Sequence, residues 1–306
     1  MEIWKELNNS NRFDNKFLTV IADEIRGLVD QDYYNVSKKI ERKNKSLKNI
    51  LLSNKEYFPI ITEIKFASPS LGKINNNSTS QKEILTKMER NGSSAISVLT
   101  QPLYFEGSLE NLRIVRENTD LPILMKDIII DNKQIEAGLA LGADVILLIE
   151  TLFKEDENKL EQLIAFAKNV GLEILLEVNT QEEFNKALTR DVDILGINNR
   201  DLNTLELDMQ TTNRILGEDF NIDKPIISES GILTSEDIKM IGKTGVNGFL
   251  VGTSIMKSND NPIFSTIPEI SFRATPAPHN SLNGYLQSFC LGFKIAKAPG
   301  RIFPGI

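Results

Sequence analysis

The 306-residue chain is poor in the residues that build disulfide and metal frameworks, with one cysteine, Cys290, and one histidine, His279. No disulfide network and no cysteine/histidine zinc site fits within a single chain of that composition, and no metal or other cofactor is expected. No apolar run approaches the roughly 18–20 residues that cross a bilayer. The opening Met1-Glu-Ile-Trp-Lys-Glu lacks a basic stretch followed by an apolar one, so no signal peptide is expected. Long basic runs are missing as well, and the formal net charge is −7. General binding to nucleic acid or to an acidic membrane is disfavoured, while a local basic pocket stays open. The expectation is a soluble, cytoplasmic protein, monomeric or weakly homo-oligomeric.

What the chain does have is enough apolar residue, 41%, for one large domain or two small ones. Residues 1–55 are polar, rich in Lys, Asn and Glu, and read as an N-terminal helical extension. From Phe58 onward, short apolar runs alternate with amphipathic stretches. The spacing predicts strands at Ile60–Lys65, Ala95–Leu99, Pro122–Lys126, Asp144–Ile149, Glu173–Val178, Asp193–Ile197, Pro225–Ser228 and Gly248–Val251. Helical patterns lie between them, several opened by a hydroxyl with an acid three residues on: Ser80…Glu83, Thr180…Glu183 and Thr234…Asp237. Gly142-Ala-Asp, Gly171-Leu-Glu and Gly245-Val-Asn mark helix ends that lead straight into strands.

Eight strand–helix alternations in about 210 residues match the usual size of a single (β/α)8 TIM barrel, here placed at residues 56–272. An open doubly wound sheet is the competitor. It would want a glycine-rich turn after its first strand, where this chain reads Ala67-Ser-Pro-Ser-Leu-Gly72. From Arg273 to Ile306 the style changes to four basic residues, no acidic one, and scattered Pro, Gly and Ala. This stretch is expected to be an atypical C-terminal tail, poorly ordered and without a role.

In a parallel barrel, functional side chains sit at the C-terminal ends of strands and on the loops that follow. Those positions hold Glu63, Lys65 and Ser68; Lys126; Glu177; Asn198 and Arg200; Ser228-Glu-Ser-Gly231; and Gly252-Thr-Ser254. A strand's period of two puts Glu63 and Lys65 on one face of an otherwise apolar segment, where both are costly to desolvate unless paired or used. Taken singly, each group has an ordinary structural reading: a lysine reaching solvent, a surface carboxylate, a local ion pair. Six strand ends all carrying polar chemistry point instead to one shared mouth. Ser230-Gly231 and Gly252-Thr253-Ser254, each before a short helical pattern, form a candidate split phosphate cradle, because small residues let backbone N–H groups approach an anion.

Seven blocks carry a resemblance. Glu63-Ile-Lys-Phe-Ala-Ser-Pro-Ser70, Ser97-Val-Leu-Thr100, Tyr104-Phe-Glu-Gly-Ser-Leu109, Leu124-Met-Lys-Asp127, Gly196-Ile-Asn-Asn-Arg-Asp-Leu202, Ser228-Glu-Ser-Gly231 and Val251-Gly252 resemble indole-3-glycerol-phosphate synthase, continuously over about residues 45–262. The resemblance implies a cofactor-free carboxy-lyase of tryptophan biosynthesis acting on a small anionic substrate, 1-(2-carboxyphenylamino)-1-deoxyribulose 5-phosphate. It implies Lys126 as general acid, Glu177 as stabiliser of a cationic intermediate, and Glu63 with Lys65 in the later dehydration. Asn198 and Arg200 would position hydroxyls and anionic groups. Phe105 would flank the aromatic ring, with Leu202 nearby, and Ser68, Ser230, Gly231, Gly252 and Thr253 would surround the phosphate. A non-catalytic sugar-phosphate-binding barrel would be expected to lose Lys126, Glu63 or Glu177, and none is lost. A phosphoribosylanthranilate isomerase-like barrel needs an Asp/Cys pair, and Cys290 lies beyond the eighth strand.

Such chemistry needs a proton donor working near neutral pH. A lysine crowded by a second lysine and partly desolvated is expected to have its pKa lowered toward that range. Three departures from the family pattern stand out. Ile128 follows Lys126-Asp127 where the family commonly has Phe, the turn after strand eight is Gly252-Thr-Ser254, and Ile263–Phe272 is short and poorly amphipathic for a final helix.

Overall fold

A computed structural model describes residues 17–53, 57–68, 72–73, 80–217 and 222–257. The expected tail at 273–306 and the segment Ile263–Phe272 lie outside the described residues.

Eight strands form the centre: β1 (Ile60–Ile64), β2 (Ala95–Leu99), β3 (Ile123–Lys126), β4 (Val145–Ile149), β5 (Glu173–Val178), β6 (Ile194–Asn198), β7 (Ile226–Glu229) and β8 (Gly248–Val251). Each pairs in parallel with its neighbour in sequence, and β1 closes the ring on β8. This is the closed barrel rather than the open sheet. Nearly every strand residue is buried. One face fills the barrel and the other meets the helices, so the strands read as continuous apolar runs without alternation.

The helices are α1 (Phe17–Asp30), α2 (Leu47–Leu52), α3 (Gln81–Arg90), α4 (Pro102–Phe105), α5 (Leu109–Asn118), α6 (Asn132–Ala140), α7 (Glu157–Asn169), α8 (Gln181–Thr189), α9 (Thr211–Leu216), α10 (Ser235–Ile241) and α11 (Thr253–Lys257). All three expected capping boxes form, at the starts of α3, α8 and α10. A fourth, Asp131 with Gln134, opens α6. In each box the side chains satisfy N–H groups that have no partner within the helix.

The N-terminal segment is less polar in effect than its composition suggests. Along α1, Phe17, Leu18, Ile21, Ala22, Ile25 and Val29 are buried on one stripe. Each large side chain buried this way contributes roughly 1.5–3 kcal/mol relative to exposure, so packing rather than propensity holds the helix. Beyond α1 the chain reaches both ends of the barrel. Tyr34 donates to Asp127 just after β3 (3.2 Å), and Tyr104 donates to Glu24 of α1 (2.6 Å). At the opposite end, Lys45 N–H donates to Asp144 (3.0 Å), and the N–H groups of Leu47 and Lys48 donate to Glu173 (2.8 and 3.0 Å).

Gly142 and Gly171 both have left-handed φ, +86° and +77°, as expected at helix ends. Their surroundings differ. A Cβ on Gly142 would run into the buried stem of Arg116, whose guanidinium pairs with Asp144 at 3.1 Å. A Cβ on Gly171 would meet only Arg42, at 3.7 Å. Both Gly→Ala changes incur the left-handed penalty of about 1–2 kcal/mol, and Gly142→Ala adds the collision. Urea melts are expected to show Gly142→Ala losing at least twice the stability that Gly171→Ala loses; equal losses would contradict this packing.

Candidate active site

Every residue of the expected site whose side chain is described borders one cavity of roughly 330 Å³, at the C-terminal ends of the strands. Glu63, Lys65, Lys126, Glu177, Asn198 and Arg200 supply its polar lining, Phe105 and Leu202 part of its apolar wall, and Ser230, Gly231, Gly252 and Thr253 its small-residue turns. The Ser68 side chain lies outside the described residues. Phe17 and Leu18 of α1 add to the wall, and Ile128 stands beside Lys126-Asp127.

Parallel register explains how the charges meet. Glu177 of β5 lies opposite Gly196 of β6, and Asn198 of β6 lies opposite Glu229 of β7. Lys126, at the end of β3, reaches across to both acids: its ammonium contacts Glu229 and lies 3.5 Å from Glu177. Asn198 donates to the other Glu177 oxygen at 2.8 Å. Glu63 pairs with Lys65 at 2.7 Å. All three glutamates are at most 3% exposed.

Glu229 stands among the strand-end groups in the sequence but not among the residues given a role there, because its block reads as part of a phosphate turn. The signal that singles it out is Gly196. A Cβ on Gly196 would collide with the Glu229 carboxyl, so the neighbouring strand leaves a space the size of that group. Gly252 does the same for Glu63, where a Cβ would sit 2.7 Å from the carboxylate. Gly252 therefore seats an acid as well as forming the turn after β8. Asn199 is a second such residue. It donates to Ser228 and to the Ser230 carbonyl (both 3.1 Å), which steadies the turn after β7. In that turn Ser230 and Gly231 adopt left-handed φ of +67° and +78°. Ser254 donates to the Ile232 carbonyl at 3.3 Å, tying the two small-residue turns together.

The electrostatics overturn the expected direction for Lys126. Burial alone would push its pKa down, but Glu229, Glu177 and Glu63 outweigh burial and raise it above the ordinary lysine value. The second lysine does not set the sign, because Lys65 has its own partner in Glu63. Burial likewise works to raise Glu63, yet Lys65 and Lys126 hold it below the usual carboxylate range. Glu229 is the group left over. Three acids face two ammonium groups, and burial, reinforced by Glu177 and Glu63 and opposed by Lys126, pushes its carboxyl up to about 7. Arg200 is half-buried, which pushes its guanidinium pKa down. It donates to the Leu205 carbonyl at 2.6 Å, and among the described residues no carboxylate pairs with it.

Fold and site together define a (β/α)8-barrel enzyme acting on a small anionic substrate. The indole-3-glycerol phosphate synthase family model matches residues 19–265, taking in α1 and α2 as well as the barrel. The chain is 40% identical over 208 residues to the indole-3-glycerol phosphate synthase of Lachnospira eligens, covering 67% of this chain and 76% of that protein. It is 38% identical over 250 residues to that of Lactococcus lactis subsp. cremoris (strain MG1363), covering 81% and 92%. Among solved structures, the N-acetylmannosamine-6-phosphate 2-epimerase of Clostridium perfringens shares the fold, at 16% identity and a TM-score of 0.51 over 69% of this chain and 92% of that one. The chain belongs to the indole-3-glycerol phosphate synthase family.

The raised Glu229 pKa has a consequence for stability. The folded state holds a proton there that the unfolded chain, with an ordinary value of 4.5, has released. The contribution is complete below that ordinary value and is lost as pH rises through the folded value. Glu229→Gln removes this dependence. Urea denaturation is expected to show the variant gaining on the parent between about pH 5 and about pH 8, by up to about 3 kcal/mol. A constant difference across that range would show that Glu229 does not carry the excess charge.

Proposed function

We propose that the chain closes the pyrrole ring of indole-3-glycerol phosphate from 1-(2-carboxyphenylamino)-1-deoxyribulose 5-phosphate, with loss of carbon dioxide and water. The ring carbon bearing the carboxylate attacks the ketone of the sugar chain. Lys126 gives a proton to the ketone oxygen as the bond forms, and its carboxylate neighbours keep that ammonium charged and aimed into the cavity. The ring then carries positive charge, which Glu177, oriented by Asn198, stabilises. Breaking the bond to the carboxylate returns those electrons to the ring and releases carbon dioxide. Loss of the new hydroxyl as water, with a proton from the ring system, completes the indole. Glu63 and Lys65 sit as a paired base and acid for that step.

Arg200, lacking a carboxylate partner among the described residues, suits an anionic group of the substrate. The turns at Ser230-Gly231 and Gly252-Thr253 suit the phosphate, with Ser68 assigned there as well. Phe105, Leu202 and Ile128 suit the aromatic ring. Ile128 leaves Phe105 to supply the flat contact on this side. A monomer or weak homo-oligomer in the cytoplasm, built as a helical extension (1–55), a barrel (56–272) and a passive tail (273–306), completes the reading.

One observation carries it: an ammonium group at the end of β3 held by buried acids from β5 and β7, inside a cavity that also offers a guanidinium with no carboxylate partner among the described residues. Incubation with the carboxyphenylamino substrate, followed by indole fluorescence, tests it. Parent protein is expected to turn over, and Lys126→Ala to lose about 10³-fold in kcat, within the usual range for a positioned acid. Equal rates in the two would refute the assignment.

A further inference from the structure

Asp127, next in the chain after Lys126, is buried, and its hydrogen-bond partners here are neutral donors. The Thr100 hydroxyl donates to one carboxylate oxygen at 2.6 Å, and the Tyr34 hydroxyl donates to the same oxygen at 3.2 Å. The Ile128 N–H donates to the other oxygen at 2.8 Å. Thr100 also holds the preceding carbonyl, because its own N–H donates to Lys126 O at 3.1 Å. Thr100 therefore holds both the Lys126 carbonyl and the Asp127 carboxylate. The Gln134 side chain, donating to Ile128 O at 3.0 Å, secures the Ile128–Ile129 peptide.

Burial pushes the Asp127 carboxyl up to about 6; above that pH it is ionised and only accepts hydrogen bonds, so both hydroxyls must donate to it and neither is free to reverse. Such a cluster fixes one backbone position at the root of the Lys126 side chain. Asp127 is not among the acids that hold the Lys126 ammonium charged; those are Glu229, Glu177 and Glu63. Among the described residues no hydrogen bond or ion pair joins the Asp127 carboxylate to that ammonium, and the link between the two residues is the backbone.

We propose that Asp127 is a positioning residue for Lys126, and that Tyr34 makes the N-terminal segment part of that device. Thr100, Asp127 and Tyr34 hold the end of β3 where the ammonium meets Glu229 and Glu177. The segment after α1 thereby acts on the reacting end of the barrel without touching substrate. The inference rests on Lys126 being the proton donor.

The test compares Tyr34→Phe, Thr100→Val and Thr100→Ser with the parent and with Lys126→Ala, all as full chains, in steady-state assays and thermal melts. Tyr34→Phe and Thr100→Val are expected to lower kcat by about 10- to 100-fold, the scale of a misplaced reacting group. KM should stay within about twofold, and Thr100→Ser should restore kcat. A purely structural tie would lower the melting temperature and leave kcat of the folded protein at the parental value, which would overturn the proposal. If Thr100→Val fails to fold, Tyr34→Phe, which removes one oxygen, decides by its kcat. Loss of activity in Lys126→Ala with parental kcat in Tyr34→Phe and Thr100→Val sinks the positioning role alone. Parental activity in Lys126→Ala sinks the proton-donor assignment beneath it.

Discussion

The ammonium group of Lys126 touches the Glu229 carboxylate and lies 3.5 Å from Glu177, and the rest of the site is arranged around that contact. Stripping water from either charge is expensive, and the attraction between them offsets that cost only where the geometry is close. The barrel supplies the geometry. Strands β3, β5 and β7 end on the same side of a closed ring, and Gly196 on β6 leaves the space that the Glu229 carboxyl fills. With three acids and two ammonium groups, the cluster keeps Lys126 charged and places its strain on Glu229.

The same constraint gives the N-terminal segment a place in the fold. It packs an apolar stripe on the barrel, contributes Phe17 and Leu18 to the cavity wall, and bonds to Asp127 at the end that holds Lys126 and to Asp144 and Glu173 at the other. The buried Arg116–Asp144 pair and the carboxylate of Glu173 are thus structural, at the far end from Lys126.

Much of this was legible in the sequence. Strand positions followed from apolar runs of about five residues, and helix starts from capping boxes such as Thr180…Glu183, because both signals are local. The lining of the candidate site was legible because polar groups at strand ends share one mouth, so Glu63, Lys126 and Glu177 needed only the topology to be brought to one cavity. The sign of the Lys126 shift was not legible. It depends on which charges cross the barrel to reach it, and neither Glu177 nor Glu229 lies near it in the chain. Glu229 itself was hidden by its neighbours, Ser228, Ser230 and Gly231, which read as a turn. The stripe of α1 obeys a helical period, but the lysines and asparagines around it masked it in bulk composition. Asp127 reads as an ordinary acid after a strand until Thr100 and Tyr34 are seen to converge on it.

The protonation state of Lys126 tests the central contact most directly. Lysine labelled with ¹³C at Cε, with the Lys126 signal assigned by its loss in Lys126→Arg, would be followed by NMR in the full chain from about pH 6 to about pH 10. A Cε shift that stays at the charged value across that range is the expected result. A titration midpoint near neutrality would contradict it, and would mean that the buried acids do not govern this lysine.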